Sequence, residues 1–248
     1  MEDRDRGLLA REVLTELLVK AGDEEIDALA TLSLRMGPDG VQAWLMRCAE
    51  AREVWIGPGA WEPPLDARVR QLLGLAADAD EASLAELCAD AAFDLAALRA
   101  CCEAQSAWGA ATGLKCAELV ESWMGLDPAL RASSLAELEK ALFTQEGKPR
   151  SLTSVEKHLP DYAHYAERVR DCLDAVIERQ RLLAVAELLT PALTIGRKFA
   201  RAWDEAKARE GLIDFDDQIR RAAELLSKDG LGEWIRYKLD RQFDHILI

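Results

Sequence analysis

The chain has 248 residues, half of them hydrophobic, and a formal net charge of -14. No apolar run approaches the roughly 20 residues that span a bilayer, and so large an acidic excess is unlike a simple nucleic-acid-binding module, which is usually basic. Leu and Ala are abundant and β-branched alternating runs are scarce, which predicts an almost all-α protein.

Leu8 to Lys20 predicts an amphipathic helix, with Leu8, Leu9, Val13, Leu14, Leu17 and Leu18 on one broad face. Gly22-Asp23 ends it and opens a second helix with Ile26, Leu29, Leu32 and Leu34 as its apolar positions. Gly37-Pro38-Asp39-Gly40 reads as a turn, and Val41 to Trp55 as a third helix. The prolines between Gly57 and Pro64 exclude a helix interior. Trp61 in that stretch is expected to tuck the loop against the core; the other reading is an exposed stacking residue. Leu65 to Leu75 is helical again. Ser83-Leu84-Ala85-Glu86 and Ser134-Leu135-Ala136-Glu137 are capping-box patterns. The first is expected to lead into a long Ala-rich helix ending near Gln105, the second into a helix through Phe143. Another helix is expected from Trp108 to Trp123.

Pro160 opens the longest helical pattern. Tyr162, Tyr165, Val169, Leu173, Val176 and Ile177 recur at three- and four-residue steps. Pro191 is expected to kink or break it, with a second limb from Ala192 to about Arg209. Unbroken, about 50 residues would span about 75 Å. After Gly211, Asp214 is a good N-cap, and Asp216 and Asp217 sit where the helix dipole favours carboxylates. Phe215 is expected to be a packing anchor, its face completed by Leu225 and Leu226. The three aspartates could be misread as a metal cluster. Capping and solvation explain them better, because a metal site needs more convergent ligands than one helix start provides. The chain closes on Phe243, Ile246, Leu247 and Ile248, with Asp244 and His245 between. This run is strand-like, and a lone strand cannot satisfy its own backbone groups, so it expects a sheet.

Cys48, Cys88, Cys101, Cys102, Cys116 and Cys172 form no C-x-x-C pair and read as buried, reduced thiols. From Arg197 to Arg241 there are eleven Lys/Arg against ten Asp/Glu, so the excess acid lies earlier in the chain. Lys148 and Arg150, in the polar loop from Thr144 to Thr153, are the first candidates for contact with phosphate. Arg197, Lys198 and Arg201 are the second. The other reading of the loop is a solvated connector. No phosphate-cradling G-x-x-x-x-G-K-[ST] occurs, and Gly196-Arg197-Lys198 lies inside a helical pattern.

Several stretches resemble a known family. Asp214-Phe215-Asp216-Asp217, Tyr237-Lys238-Leu239-Asp240 and Asp244-His245-Ile246-Leu247-Ile248 are similar to the segment of UvrD/Rep-type superfamily 1 DNA helicases that leads into their second ATPase motif. The pattern is most similar to the AddA subunit of the AddAB helicase–nuclease. Gln218 stands where that family usually has Leu. Phe143-Thr144 and Gly147-Lys148-Pro149-Arg150 match a loop of the same family. The likeness runs from about Ala141 to Ile248 and, by pattern alone, back to Leu8.

The resemblance implies a helical insertion lobe of the 1B type over residues 1–196, with a long kinked helix. Residues 197–248 would be the returning part of the first RecA-like domain, ending in one strand of an incomplete sheet just before the D-E-x-Q-D box. The parent would be an ATP-dependent DNA helicase/exonuclease of double-strand-break repair in the bacterial cytoplasm. Its partners would be DNA and an AddB-like nuclease subunit, with no membrane. ATP and Mg2+ would belong to the parent, and this segment would hold no cofactor and no catalytic residue. The phosphate loop would precede Met1 and the magnesium-holding acid would follow Ile248. The alternative is a freestanding acidic helical scaffold. A self-sufficient metal-dependent enzyme is disfavoured by the lack of ligand spacing.

Overall fold

The computed structural model describes residues 3–228 and 230–239. Among the described residues, helices and turns account for nearly everything, with one isolated antiparallel bridge between Phe143 and Pro149. The chain is mainly α. The strand expected over residues 244–248, with Asp244 and His245, lies outside the described residues.

The chain divides into two compact units. The first joins the described residues up to Pro63 with those from Pro191 onward; the second is Pro64–Thr190. The residues up to Pro63 and those from Pro191 onward are thus far apart in the chain and close in space. The partners that hold them are far along the chain: Arg52 and Asp204, which bond each other, are 152 residues apart.

In the first unit, α1 (Asp3–Lys20) is followed by α2 (Asp23–Glu50) and α3 (Arg52–Trp55). The turn expected at Gly37 is a kink inside α2, where Gly37 takes φ 74 and ψ 164. A residue without Cβ adopts that conformation cheaply, and Pro38 then opens the second limb where its missing N–H is no loss. Leu9, Val13, Leu29, Leu32, Val41 and Leu45 are buried, as are Ile195, Phe199 and Trp203. Trp55 donates its indole N–H to the Cys48 carbonyl at 2.7 Å. Trp61 packs its ring against Trp55 at 5.9 Å, nearly perpendicular. That contact makes Trp61 the tuck that holds the Pro-rich loop.

The longest helix, α11 (Tyr162–Arg209), is helical through Pro191. The expected break is absent, although the proline removes one hydrogen bond. Apolar burial on either side, at Leu183 and Ala186 in one unit and at Ala192 and Ile195 in the other, holds both halves helical. Within the first unit, Gly196 faces Cys48. A Cβ there would sit 2.6 Å from the Cys48 sulfur and 3.1 Å from the Trp44 ring, so only glycine permits this close approach. The unit continues with α12 (Phe215–Ser227) and α13 (Leu231–Leu239).

The second unit contains α4 (Asp66–Leu72), α5 (Ala82–Leu87), α6 (Leu95–Trp108), α7 (Ala111–Met124), α8 (Pro128–Ser133), α9 (Leu135–Leu142), α10 (Leu152–Val155) and the first part of α11. The long Ala-rich helix expected to follow Ser83 is two helices. Asp94 interrupts it by capping α6, accepting from the Ala97 N–H at 2.9 Å. Neither predicted Ser cap bonds forward into its helix. Asp80 accepts from the Ala82 and Ser83 N–H groups at the start of α5. The Ser134 hydroxyl donates backwards to the Leu130 carbonyl at 2.7 Å. A short upstream turn offers a serine a competing acceptor.

Tyr162, fully buried, lies in this core with Leu98, Leu138, Leu142, Phe143, Val169 and Leu173. Arg131 is a buried clamp that no sequence pattern marked. It donates to the carbonyls of Cys88 and Met124 at 3.1 and 2.5 Å and to Asp90 at 2.6 Å.

Candidate functional site

The D-F-D-D stretch forms a charged joint between the end of α11 and the start of α12. Asp214 is the N-cap: its carboxylate accepts from the Asp217 N–H at 2.8 Å, and Asp217 accepts from the Asp214 N–H at 3.2 Å. This reciprocal pair satisfies two backbone donors that a helix start otherwise leaves open. Lys207, in the last turn of α11, donates to Asp214 at 2.7 Å and to Asp217 at 2.8 Å. Arg220 closes the far side of Asp217 with a short charge-assisted bond.

Asp217 and Lys207 are only 4% and 6% exposed. Burial alone would raise the Asp217 carboxyl. The bonds from Lys207, the Asp214 backbone and Arg220 outweigh it and hold the group well below the usual carboxylate range. Nearby, Arg52 makes a two-pronged bond to Asp204 at 3.0 and 3.1 Å. That bond is the main reason its guanidinium is raised above its ordinary value. Arg52, Trp203, Lys207, Phe215, Asp217 and Arg220 line a cleft of about 120 Å³. Its carboxylates at Asp214 and Asp217 are already neutralised by cations, which suits them to hold a joint rather than a metal. Asp216 is exposed.

Phe215 is not the packing anchor expected of it: it is 73% exposed. The cap fixes Asp217 inward against Lys207, and a residue two positions earlier on a helix points about 200° away. Ile219, Leu225 and Leu226 on α12 are exposed as well. A Phe215→Ala variant of this chain should therefore unfold within about 0.5 kcal/mol of the parent chain, as surface changes usually do. A loss of several kcal/mol in thermal or urea unfolding would restore the anchor reading.

The five cations proposed for phosphate contact fall into both units and into different roles. Arg197 is buried and committed: it donates to the Trp61 carbonyl at 3.1 Å and to Glu62 at 2.6 Å, fastening the Pro-rich loop. Its guanidinium is thus engaged within the fold. Gly196-Arg197-Lys198 lies inside α11, with Gly196 against Cys48. Lys198 is exposed but ion-paired with Glu25. Arg201 is exposed.

In the second unit, Lys148 and Arg150 sit on a tight hairpin. Thr144 N–H donates to the Lys148 carbonyl and Arg150 N–H to the Leu142 carbonyl, each at 2.8 Å. Among the described residues the Lys148 ammonium reaches only the exposed Glu146, at 3.5 Å. Arg150 donates its Nε to the Lys140 carbonyl at 2.8 Å. The hairpin is thus a shaped element, not a slack connector.

The six cysteines are unpaired, and all but Cys172 are buried. Burial pushes Cys48, Cys88, Cys102 and Cys116 up to about 11 and Cys101 up to about 12. At neutral pH they are protonated thiols and poor nucleophiles.

No protein-family model matches the chain, and no curated protein or solved structure is significantly similar to it.

Proposed function

We propose that this chain is part of an AddA-type ATP-dependent DNA helicase/exonuclease of bacterial double-strand-break repair. Its residues form a helical accessory segment that positions DNA or a partner protein beside the motor and perform no catalysis of their own. The supporting observation is the order of elements after Gly211. A double aspartate cap starts an amphipathic helix and a second helix follows, the sequence of parts that the D-F-D-D and Y-K-L-D resemblance implies. The parent would use ATP and Mg2+ through residues outside this chain and work with an AddB-like nuclease subunit.

The encoding reading frame gives a direct test. It should continue past Ile248 with Asp-Glu-x-Gln-Asp; a stop codon at that point would refute the reading and favour the freestanding scaffold. The DNA arm is tested through Lys148 and Arg201, both exposed and neither needed by the fold. Contacts to phosphate are sequence-independent and salt-sensitive. Replacing both by Ala in the parent helicase should weaken forked-DNA binding and lower the salt slope by about two units, one per lost contact. An unchanged affinity and slope would remove these residues from the DNA path.

A further inference from the structure

A groove of about 640 Å³ lies between α7 and α9 in the second unit. Lys115 and Leu119 come from α7, Glu137 and Lys140 from α9, and Arg150 from the hairpin. The floor is apolar: Cys116 and Ala141 meet there, the thiol 3.4 Å from the Ala141 carbonyl. Burial keeps that thiol protonated, so the floor carries no charge.

In a chain of net charge -14, this groove sets three cations against one carboxylate. None of the three forms an ion pair among the described residues, and Arg150 is held over the groove by its bond to the Lys140 carbonyl. Cations left together without carboxylate partners repel one another and concentrate a positive potential over a low-dielectric floor. Leu119 adds an exposed aliphatic edge beside them.

We propose that this groove docks an acidic peptide segment of a partner protein, with an aliphatic side chain on the Leu119–Cys116–Ala141 floor and flanking carboxylates on Lys115, Lys140 and Arg150. Charge complementarity selects the occupant and the floor selects the anchor. A nucleic acid would use only half of the site. Phosphates have no need of an apolar floor, and the lining has no aromatic ring on which a base could stack. The proposal does not depend on the helicase reading and uses none of the residues that test it.

The experiment selects binders to the full 248-residue chain from a phage-displayed library of random short peptides. The expected winners are acidic with Leu, Ile or Met between the acids. They should bind about tenfold or more weakly to Lys115→Glu/Lys140→Glu and to Leu119→Asp, a loss of 1.4 kcal/mol or more. All three positions are exposed, and unchanged far-UV helicity verifies the fold. Lys115→Gln/Lys140→Gln gives a gentler second variant, expected to weaken binding in the same direction. Winners without an acidic excess, no enrichment at all, or equal binding to the variants would overturn the proposal. So would a forked-DNA affinity that falls, with a shallower salt slope, in the Lys115/Lys140 variant while peptide binding stays unchanged.

Discussion

Replacing Lys207 by Met should lower the stability of the first unit by about 3–5 kcal/mol, the usual loss when one partner of a buried ion pair is removed. Lys207 serves two carboxylates at once, at 2.7 and 2.8 Å. Without it, Asp217 stays buried with only Arg220 and a backbone N–H to offset its charge. Asp217→Asn should be costly for the complementary reason, leaving Lys207 with Asp214 alone. The pH dependence identifies the mechanism. Asp217 titrates in the folded state well below its unfolded value of about 3.9. Its stabilising contribution is therefore fully present above the ordinary aspartate range and is lost as pH falls through the depressed folded value. Acid unfolding of the parent chain should be steep in that range and flatter in Asp217→Asn. Amide exchange in α12, measured against pH, reads this unit alone. Equal acid limbs in the two proteins would mean that the joint contributes no stability.

Tyr162→Ala should destabilise the second unit by about 3–5 kcal/mol through the cavity alone. Its ring is fully buried, and its hydroxyl accepts a 2.7 Å bond from the Gln105 side chain, which is itself buried. Burial pushes the phenol above its ordinary range, so it stays a neutral hydroxyl at any physiological pH. Removing it strands the Gln105 amide, which adds about 1–3 kcal/mol. Tyr162→Phe isolates that second part: the ring stays and only the bond goes. Urea unfolding of the two variants, with exchange protection in α6 as the local probe, should show the larger loss for Ala. A Phe variant as stable as the parent chain would mean that Gln105 finds another partner.

These two sites differ in how far they could be read from the residues. Asp214 was legible as a cap because capping is local: the donor and acceptor lie within one turn, and D-F-D-D holds both. The helical class was legible for the same reason, since the three-to-four-residue recurrence of Leu, Val and Ala needs no distant partner. Gly37 marked a bend, but pattern alone could not tell a full turn from a kink.

The partner of the cap was not legible. Nothing local in the sequence marks Lys207, and only folding places its ammonium between two aspartates. Arg197 looked free because its acceptors, the Trp61 carbonyl and Glu62, lie more than 130 residues earlier in the chain. Phe215 looked buried because size and apolarity favour burial, yet the helix geometry that turns Asp217 inward turns Phe215 out. A break at Pro191, one of the two outcomes expected there, does not occur, because the rule for an isolated helix counts the lost hydrogen bond and omits the burial around it. Local chemistry specified which segments become helical and where one of them starts. Contacts between residues far apart in the chain settled which charges are spent, which apolar faces are covered and where the units divide, because burial and ion pairing depend on proximity in space, which spacing along the sequence does not encode.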